Sequence, residues 1–317
     1  MNNSPCNISI IIPTYNRRHL IGTTIDNLLQ QTHPAHEIIV VDDHSTDGTV
    51  EWLNTTYGNK LIVLTNKGKG PGAARNTGFQ ASTGNYIKFF DSDDLMTRNH
   101  LENQLSTIIQ ENADAVYSPF IMATIKNGHW KQMEGIFHSK PTSLKKGLKT
   151  LMINEFFIPI PSLLFKRSLV EKIGQWEETW ISHEDWLFLW KLAGFRPKIC
   201  FSQNSAFIYR IHGKQTTIDN LSTKRKLNYQ LAFLKSIEDE ILTSNEFSFW
   251  TRTLFIAKCD ALTAAISNTR PKLLPALMAI IEKLIKRKNL TLTGSHWPKN
   301  RKVSQSPELF KFYINQL

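Results

Sequence analysis

The chain has 317 residues, of which 41% are hydrophobic and 21% are charged, enough for one large α/β domain with an appended piece or for two domains. The same balance excludes a chain that is disordered throughout. The formal net charge of +11 suits a phosphorylated substrate, an anionic membrane surface or a nucleic acid. Because the basic residues form no single run and no zinc-finger or RNA-binding signature occurs, we expect no nucleic-acid partner.

The cysteines and the hydropathy pattern indicate where the protein works. Cys6, Cys200 and Cys259 are odd in number and far apart, which predicts a reducing compartment and no disulfide framework. The polar N-terminus leads directly into a strand pattern, so no secretory signal is predicted. No apolar run reaches the roughly 18 residues that a membrane span needs. We therefore expect a cytoplasmic protein.

Strand and helix patterns alternate through the first 112 residues. Apolar and β-branched runs predict strands at 8–12, 38–41, 61–64 and 86–90. Helical spacing predicts helices at about 18–31, from about 50, at about 72–81 and at about 98–112. Ser45 or Thr46 is the predicted N-cap of the second of these helices. The repeated β-α order predicts a parallel sheet with helices on both faces.

The pattern changes in the second half. Strands at 115–121, 163–166 and 206–211 and helices at 142–157 and 184–192 extend the sheet, and Asn127-Gly128 predicts a two-residue hairpin turn. Beyond about residue 220 no strand pattern remains, and 273–289 has the pattern of a basic amphipathic helix. Such a helix suits an anionic membrane surface, or packing on its own domain with a solvated basic face. We expect a first domain at 1–219 and a basic helical region at 220–317.

An acidic cluster follows the predicted strand at 86–90. Asp91, Asp93 and Asp94 lie so close together that their carboxylates repel one another unless a cation or hydrogen-bond donors compensate. A hard divalent cation such as Mg²⁺ or Mn²⁺, which also binds phosphate oxygens, meets this need. Acids at this position also serve as turn residues and helix N-caps, so the segment alone leaves both interpretations open.

Three further segments follow predicted strands or begin a predicted helix, at 13–16, 42–47 and 70–78. The carboxyl ends of parallel strands meet at one edge of a sheet, so these loops converge on one crevice. Together with the acidic cluster, they resemble the nucleotide-sugar-binding half of the family-2 inverting glycosyltransferases. That resemblance implies the GT-A fold, a doubly wound α/β domain with a mostly parallel sheet flanked by helices. It implies a nucleotide-sugar-binding half at 1–112 and an acceptor-binding, catalytic half at 113–219.

The resemblance also implies the residues that bind the donor. Asp43 accepts a hydrogen bond from the nucleobase, or caps the next helix. Tyr15 flanks the base or is a core residue, and Arg75 lies near the base or diphosphate or is solvated. The implied nucleotide-sugar-binding residues are Pro13, Thr14, Tyr15, Asn16, Asp43, Asn66, Gly70, Arg75, Asp91 and Ser92. The implied ligands of a Mn²⁺ or Mg²⁺ ion are Asp91, Asp93 and His212, with a surface histidine as the alternative for His212.

An acid pair in the second half completes the implied site. Glu184 and Asp185 open the predicted helix at 184–192 and resemble the family's catalytic acids. By this resemblance Asp185 is the base that deprotonates the acceptor hydroxyl, and Glu184 orients it or contacts the acceptor. The alternative is that both acids stabilise the helix N-terminus. Trp176 and Trp180 are candidate platforms for an acceptor sugar, with core packing as their alternative.

The resemblance implies an inverting, metal-dependent transfer of a single sugar from a nucleotide-sugar, expected to be a UDP-sugar. The expected acceptor is a hydroxyl of a glycan or lipid-linked molecule in cell-surface polysaccharide or glycoconjugate synthesis. The Gln-x-x-Arg-Trp signature of processive members is absent, which favours transfer of one sugar. The basic surplus predicts peripheral contact with the inner face of the cell membrane through the C-terminal basic helices.

Two other functions stay open at this stage. Gly68-x-Gly70-x-x-Ala73 matches a dinucleotide fingerprint, which allows an NAD(P)-dependent oxidoreductase. Against it, Pro71 lies inside the turn and the motif falls in the third crossover instead of the first. The second alternative is a non-catalytic nucleotide- or sugar-binding protein.

Overall fold

The computed structural model describes residues 6–126, 129–132, 136–138, 147–153, 158–180, 182–212, 222–269, 302–304 and 314–315. The chain divides into two compact units. The first comprises Met1–Lys145, Ile158–Gly213 and Asn300–Leu317, and the second comprises Lys146–Phe157 and Lys214–Lys299.

Strands and helices alternate along the first part of the chain, as the sequence predicts. In chain order they are β1 (Ile8–Thr14), α1 (Arg18–Leu29), β2 (Glu37–Asp42), α2 (Thr49–Tyr57), β3 (Ile62–Thr65), α3 (Gly70–Ala81), β4 (Tyr86–Phe89), β5 (Leu95–Met96) and α4 (His100–Gln110). The following elements are β6 (Ala115–Tyr117), β7 (Phe120–Lys126), β8 (His129–Gln132), β9 (Ile136–His138), α5 (Leu148–Ile153), β10 (Leu163–Lys166), α6 (Arg167–Ile173) and α7 (Glu184–Gly194). The last are β11 (Ile199–Phe201), β12 (Phe207–Arg210), α8 (Thr223–Ser236), α9 (Glu238–Thr243), α10 (Phe249–Ser267) and β13 (Lys302–Ser304).

A seven-stranded sheet forms the centre of the first unit, in the order β11-β6-β10-β4-β1-β2-β3. Strands β4, β1, β2 and β3 run parallel, and β11 runs parallel to β6. Strand β10 is antiparallel to both of its neighbours, β4 and β6. The predicted mostly parallel α/β sheet is therefore confirmed. Because β1, β2 and β4 run in the same direction, the loops that follow them lie at one edge of the sheet.

Apolar side chains alternate between the two faces of this sheet, and a helix covers each face. Ile10 and Ile12 of β1 are fully buried in a cluster that includes Ile21 and Ile25 of α1. Ile39 and Val41 of β2 form a separate buried cluster with Ala74 of α3. A strand buried on both faces requires the nearly continuous apolar run that the sequence of β1 shows.

A second, six-stranded sheet in the first unit was not predicted from the sequence. Its order is β13-β9-β7-β12-β5, and β8 pairs with β7 at its side. Strand β5 has two residues, too few for a hydropathy pattern to indicate. The predicted hairpin turn at Asn127-Gly128 lies outside the described residues. Strands β7 and β8 on either side of it pair antiparallel, with Lys126 opposite His129.

The second unit is helical in its described part, with α5, α8, α9 and α10. Lys149 of α5 forms an ion pair with Glu240 of α9, and Lys258 of α10 donates to the Ile153 carbonyl at 2.6 Å. The basic helix predicted at 273–289 lies outside the described residues, as does most of the helix predicted at 142–157. None of the described helices is long and apolar enough to cross a membrane.

Lys88 on β4 is a fully buried cation-forming side chain in the centre of the first unit. Its Nζ donates to Gln104 Oε1 at 3.0 Å and to the carbonyls of Pro161 and Leu163 at 2.9 and 3.3 Å. It also lies 3.2 Å from His100 Nε2. Burial lowers the pKa of Lys88 well below its ordinary value. These contacts fix the start of β10 beside β4.

We expect the pH dependence of stability to reveal this buried amine. The unfolded chain binds a proton on Lys88 up to a pH of about 10.4, whereas the folded chain loses it earlier. The free energy of unfolding should therefore rise between pH 7 and 10 relative to a Lys88→Met variant, by at most about 1.4 kcal/mol per pH unit. Urea unfolding at several pH values measures this difference. An exposed control, Lys60→Met, should show no such slope, and a pH-independent difference for Lys88→Met would contradict the lowered pKa.

Candidate active site

The loops after β1 and β2 are joined by backbone and side-chain hydrogen bonds. Asp43 N donates to the Thr14 carbonyl at 2.8 Å, and Asn16 N donates to Ser45 Oγ at 2.7 Å. Asn16 Oδ1 accepts in return from Thr46 N at 2.8 Å. Asn16 has a φ of +51°, a conformation that asparagine tolerates better than most residues. This arrangement leaves Tyr15 49% exposed at the edge of the sheet, where a flat ring can meet a ligand.

Asp43 bonds across to the next loop and does not cap α2. Its carboxylate accepts from Gly70 N at 3.0 and 3.1 Å and from Asn66 Nδ2 at 2.6 Å. Gly70 has a φ of +86°, which favours glycine at the start of α3. Asn66 is 3% exposed and also donates to the Gly70 carbonyl at 3.2 Å, so it fixes the loop. Asp43 is half-buried and keeps the character of an acceptor for a ligand N–H.

Arg75 joins the first half of the chain to the second. Its Nη1 donates to Glu184 Oε1 at 2.9 Å, and its Nη2 donates to Asp91 Oδ1 at 3.1 Å. The guanidinium lies 4.5 Å above the ring of Trp176, and Arg75 is 5% exposed. The sequence alone could not distinguish this position from a solvated arginine. Trp176 is itself 3% exposed and stacks on Phe188 at 4.0 Å, so it packs in the core and leaves no face for an acceptor sugar.

Asp93 is held by two basic side chains, one of which the sequence analysis missed. Its Oδ2 accepts from Arg17 Nη2 and from His212 Nε2, both at 3.1 Å. Burial opposes ionisation, but the His212 hydrogen bond and the Arg17 charge outweigh it and lower the pKa of Asp93. Arg17 directly follows the 13–16 segment, and this adjacency was the one signal that could have identified it. His212 is nearly buried and is not a surface histidine.

The acidic loop offers oxygens suited to a divalent cation. The Asp91 side chain is 34% exposed and the Asp93 side chain 18% exposed, so both reach the surface of the site. In the described part of the chain no three His, Cys, Asp or Glu side chains form a ready-made metal cage. Mg²⁺ commonly uses one or two carboxylates and completes its shell with substrate phosphates and water. Asp91 and Asp93 therefore fit a cation that arrives together with a phosphorylated ligand.

Ser92 and Asp94 fix this loop by hydrogen bonds to α1 and β12. The Ser92 carbonyl accepts from Thr24 Oγ1 at 3.1 Å. Asp94 is 1% exposed, and its Oδ1 accepts from Arg210 N on β12 at 2.9 Å. Burial and the charges of Asp93 and Asp91 raise the pKa of Asp94 well above its ordinary value. Asp94 thus connects the acidic loop to the second sheet.

Glu184 and Asp185 lie in the first turn of α7, as predicted. His183 precedes them with a φ of +67°, a strained conformation at the start of the helix. Glu184 is 7% exposed and bound to Arg75, whereas Asp185 is half-buried and accepts from Trp186 N at 2.8 Å. Burial and the Glu184 charge raise the pKa of Asp185 to about 7, although Arg75 opposes the shift. A carboxylate with this pKa can take a proton near neutral pH.

Helix α3 contacts the segment before α7 directly. A Cβ atom on Gly72 would come within 2.2 Å of the Glu177 carbonyl oxygen, so the two backbones touch. Asn76 adds a pair of hydrogen bonds with the Trp176 backbone, at 2.8 and 3.0 Å. Gly72 and Asn76, which flank Arg75 in the sequence, therefore both hold α3 against the segment before α7.

Comparison with known proteins identifies the class to which this fold and site belong. Residues 9–174, more than half of the chain, match the model of Glycosyl transferase family 2. An uncharacterized glycosyltransferase of Haemophilus influenzae is 31% identical over 217 residues, which cover 67% of this chain and 82% of that protein. The chain therefore belongs to glycosyl transferase family 2. This assignment decides against the dinucleotide oxidoreductase.

One curated relative has a specific activity in its name. The Escherichia coli UDP-Glc:alpha-D-GlcNAc-diphosphoundecaprenol beta-1,3-glucosyltransferase WfgD is 37% identical over 114 residues. The matched segment covers 36% of this chain and 45% of WfgD, so this chain spans less than half the length of that relative.

Solved structures share the fold. Staphylococcus aureus TarS 1–349 in complex with UDP-GlcNAc has a TM-score of 0.61 at 22% identity, over 82% of this chain and 73% of TarS 1–349. The mannosyltransferase PcManGT of Pyrobaculum calidifontis, in complex with GDP-Man and Mn²⁺, has a TM-score of 0.55 at 18% identity, over 90% of this chain and 82% of PcManGT. Both matches agree with the predicted GT-A fold.

The raised pKa of Asp185 can be measured directly. In a ¹³C NMR titration of aspartate-labelled protein, we expect one carboxyl resonance with a pKa of about 7 that is missing in Asp185→Asn. Arg75→Gln should move this midpoint up by roughly one pH unit or more, because a nearby positive charge favours the ionised carboxylate. Arg167→Gln is the matched control, since Arg167 packs on Phe79 away from the site. A midpoint near 4 in the wild-type protein, about the ordinary value, would contradict this prediction.

Proposed function

We propose that the protein transfers a single sugar from a nucleotide-sugar donor, expected to be a UDP-sugar, to a hydroxyl group with inversion of configuration. The main support for this proposal is the pairing of the Arg75 side chain with both Asp91 and Glu184, at 3.1 and 2.9 Å. It brings the acidic loop, a candidate diphosphate site, next to an acid pair that includes a carboxylate with a pKa of about 7. A leaving-group site and a proton acceptor are the two parts that direct displacement requires.

Each side chain has a proposed task. Asp43 accepts from an N–H of the base, and exposed Tyr15 flanks the ring. A Mg²⁺ or Mn²⁺ ion bound by Asp91 and Asp93, with His212 beside them, would neutralise charge on the departing diphosphate. Glu184 is bound to Arg75 and so positions α7 instead of taking the proton itself.

The proposed reaction is a single displacement. Asp185 accepts the proton of the acceptor hydroxyl, and the hydroxyl oxygen forms a bond to the anomeric carbon on the face opposite the diphosphate. The bond between the anomeric carbon and the diphosphate oxygen breaks, and the nucleoside diphosphate leaves with that electron pair. The new glycosidic bond therefore has the opposite anomeric configuration to the donor.

A glycan or lipid-linked molecule in cell-surface polysaccharide or glycoconjugate synthesis is the proposed acceptor. WfgD supports this, because its name specifies a UDP-sugar donor and a sugar linked to diphosphoundecaprenol. Undecaprenol is a membrane lipid, so an enzyme that uses such an acceptor works at a bilayer surface.

Peripheral contact with the inner face of the cell membrane is the corresponding proposal for location. The chain carries a net charge of +11, which suits an anionic surface. On α10 of the second unit, Phe249 and Trp250 are 73% and 54% exposed, with ring centroids 5.6 Å apart. Exposed aromatic pairs of this kind insert at the boundary between headgroups and acyl chains.

The donor proposal is tested by nucleotide-dependent stabilisation. UDP with Mn²⁺, at about 100 times its Kd, should raise the Tm by roughly 5 °C, because a ligand that binds the folded state stabilises it. Asp93→Asn should lose the Mn²⁺-dependent part of this rise. Asp26→Asn, which changes an exposed aspartate on α1, should keep it. A rise with NAD and none with UDP or GDP would contradict the proposal, and a nucleotide-release assay with different sugar donors then identifies the sugar.

The membrane proposal is tested by co-sedimentation with vesicles that contain anionic lipid. The affinity of a Phe249→Ser/Trp250→Ser variant for the vesicles should fall by about tenfold or more, because the variant loses the apolar surface that inserts into the bilayer. Phe195→Ser is the control, since Phe195 is a 50% exposed aromatic residue in the first unit. Equal sedimentation of all three proteins would argue against the Phe249–Trp250 pair as the contact.

A further inference from the structure

A positively charged side chain, the guanidinium of Arg17, already pairs with Asp93 in the proposed cation site. Its Nη2 lies 3.1 Å from Asp93 Oδ2, and the Arg17 side chain is 6% exposed. Its backbone carbonyl accepts from Leu20 N and Ile21 N, both at 2.9 Å, so the residue is fixed at the start of α1. The backbone of Arg17 is therefore fixed, and its long side chain lies at the edge of the acidic loop.

A second arginine nearby has a different role. The Arg210 guanidinium donates to the Asp93 carbonyl at 2.5 Å, to the Leu20 carbonyl at 3.2 Å and to Thr24 Oγ1 at 3.3 Å. Through these contacts Arg210 connects the acidic loop to α1, and its charge also acts on Asp93 and Asp94. Arg17, in contrast, is bound to a carboxylate that the proposed function assigns to a metal ion.

A divalent cation and Arg17 compete for Asp93. Two positive groups on one carboxylate repel each other, and this repulsion is strong where water is mostly excluded. The competition ends if Arg17 finds another anion when the cation binds. The nucleoside diphosphate brings such an anion, and arginine binds phosphate oxygens through two parallel N–H groups.

We propose that Arg17 is a diphosphate-binding residue that exchanges partners during donor binding. It pairs with Asp93 while donor and cation are absent, and with a phosphate oxygen once the cation occupies Asp93. This inference rests on the proposed function. It implies that the cation and the nucleotide each bind weakly alone and more tightly together. The cation releases Arg17 from Asp93, so that Arg17 can bind the phosphate. The phosphate in turn gives Arg17 a new partner, so that it no longer competes with the cation for Asp93.

The test compares Arg17→Gln with the wild-type full-length chain. Without nucleotide, Mn²⁺ measured by EPR titration should bind the variant several-fold more tightly, by about three- to tenfold, because the competing charge is gone. UDP measured calorimetrically in the presence of Mg²⁺ should bind about tenfold more weakly, because a charge-assisted hydrogen bond is lost. Arg18→Gln is the control, with the same change of charge on the adjacent, exposed residue.

The opposite directions of the two shifts separate this role from a merely structural one. Weaker binding of both Mn²⁺ and UDP to Arg17→Gln, or affinities equal to those of Arg18→Gln, would overturn the proposal. Failure of the wild-type protein to bind UDP or GDP with Mn²⁺ is a separate result, which would refute the proposed function itself.

A second variant tests the exchange even if Arg17→Gln does not fold. Asp93→Asn removes the partner that holds Arg17 in the cation-free protein. In EDTA, UDP should then bind this variant several-fold more tightly than it binds the wild type, because Arg17 is already released. Equal or weaker binding of UDP in EDTA would overturn the exchange.

Discussion

The guanidinium group of Arg75 is the interaction on which the rest of the site depends. It holds two carboxylates that lie 16 and 109 residues further along the chain, those of Asp91 and Glu184. Without it, the buried Glu184 would be left uncompensated, which is far more costly than the loss of a surface ion pair, and the partly exposed Asp91 would lose its basic neighbour. The Trp176 ring beneath the guanidinium shields the group from water and adds a cation–π contact. The position of Asp185, next to Glu184, follows from this anchor.

The sheet makes such a meeting possible. Parallel strands β1, β2 and β4 deliver three loops to one edge, and the antiparallel strand β10 inserts beside β4. Because β10 runs in the opposite direction, the chain enters it beside the carboxyl end of β4, where Lys88 binds the Pro161 and Leu163 carbonyls. The segment that leads to α7 then returns across α3. The fully buried Lys88 is tolerated here because its hydrogen bonds to protein oxygens replace those that water would supply.

Local signals were enough to predict the main sheet and the loops that carry Asp43, Asp91, Asp93 and the Glu184–Asp185 pair. Each of these acids follows an apolar run or opens a helical pattern, so its neighbours in sequence reveal it. Contacts between distant segments were not predictable, and the pairing of Arg17 with Asp93 is of this kind. The predicted N-cap of α2 was wrong because Gly48, with a φ of +76°, precedes the helix. Ser45 instead accepts from Asn16 on another loop, a contact that no local pattern indicates.

The direct contact of Gly72 with the Glu177 carbonyl has a consequence for how this protein can diverge. With 2.2 Å between that oxygen and a β-carbon at position 72, any larger residue forces the two backbones apart. Such a change would pull α3, with Arg75, away from the segment that precedes Glu184 and Asp185. A change in the segment before α7 therefore reaches α3 through the backbone, not through side chains that could adjust. Position 72 is therefore expected to remain glycine as the protein diverges, while positions whose side chains can adjust are free to change.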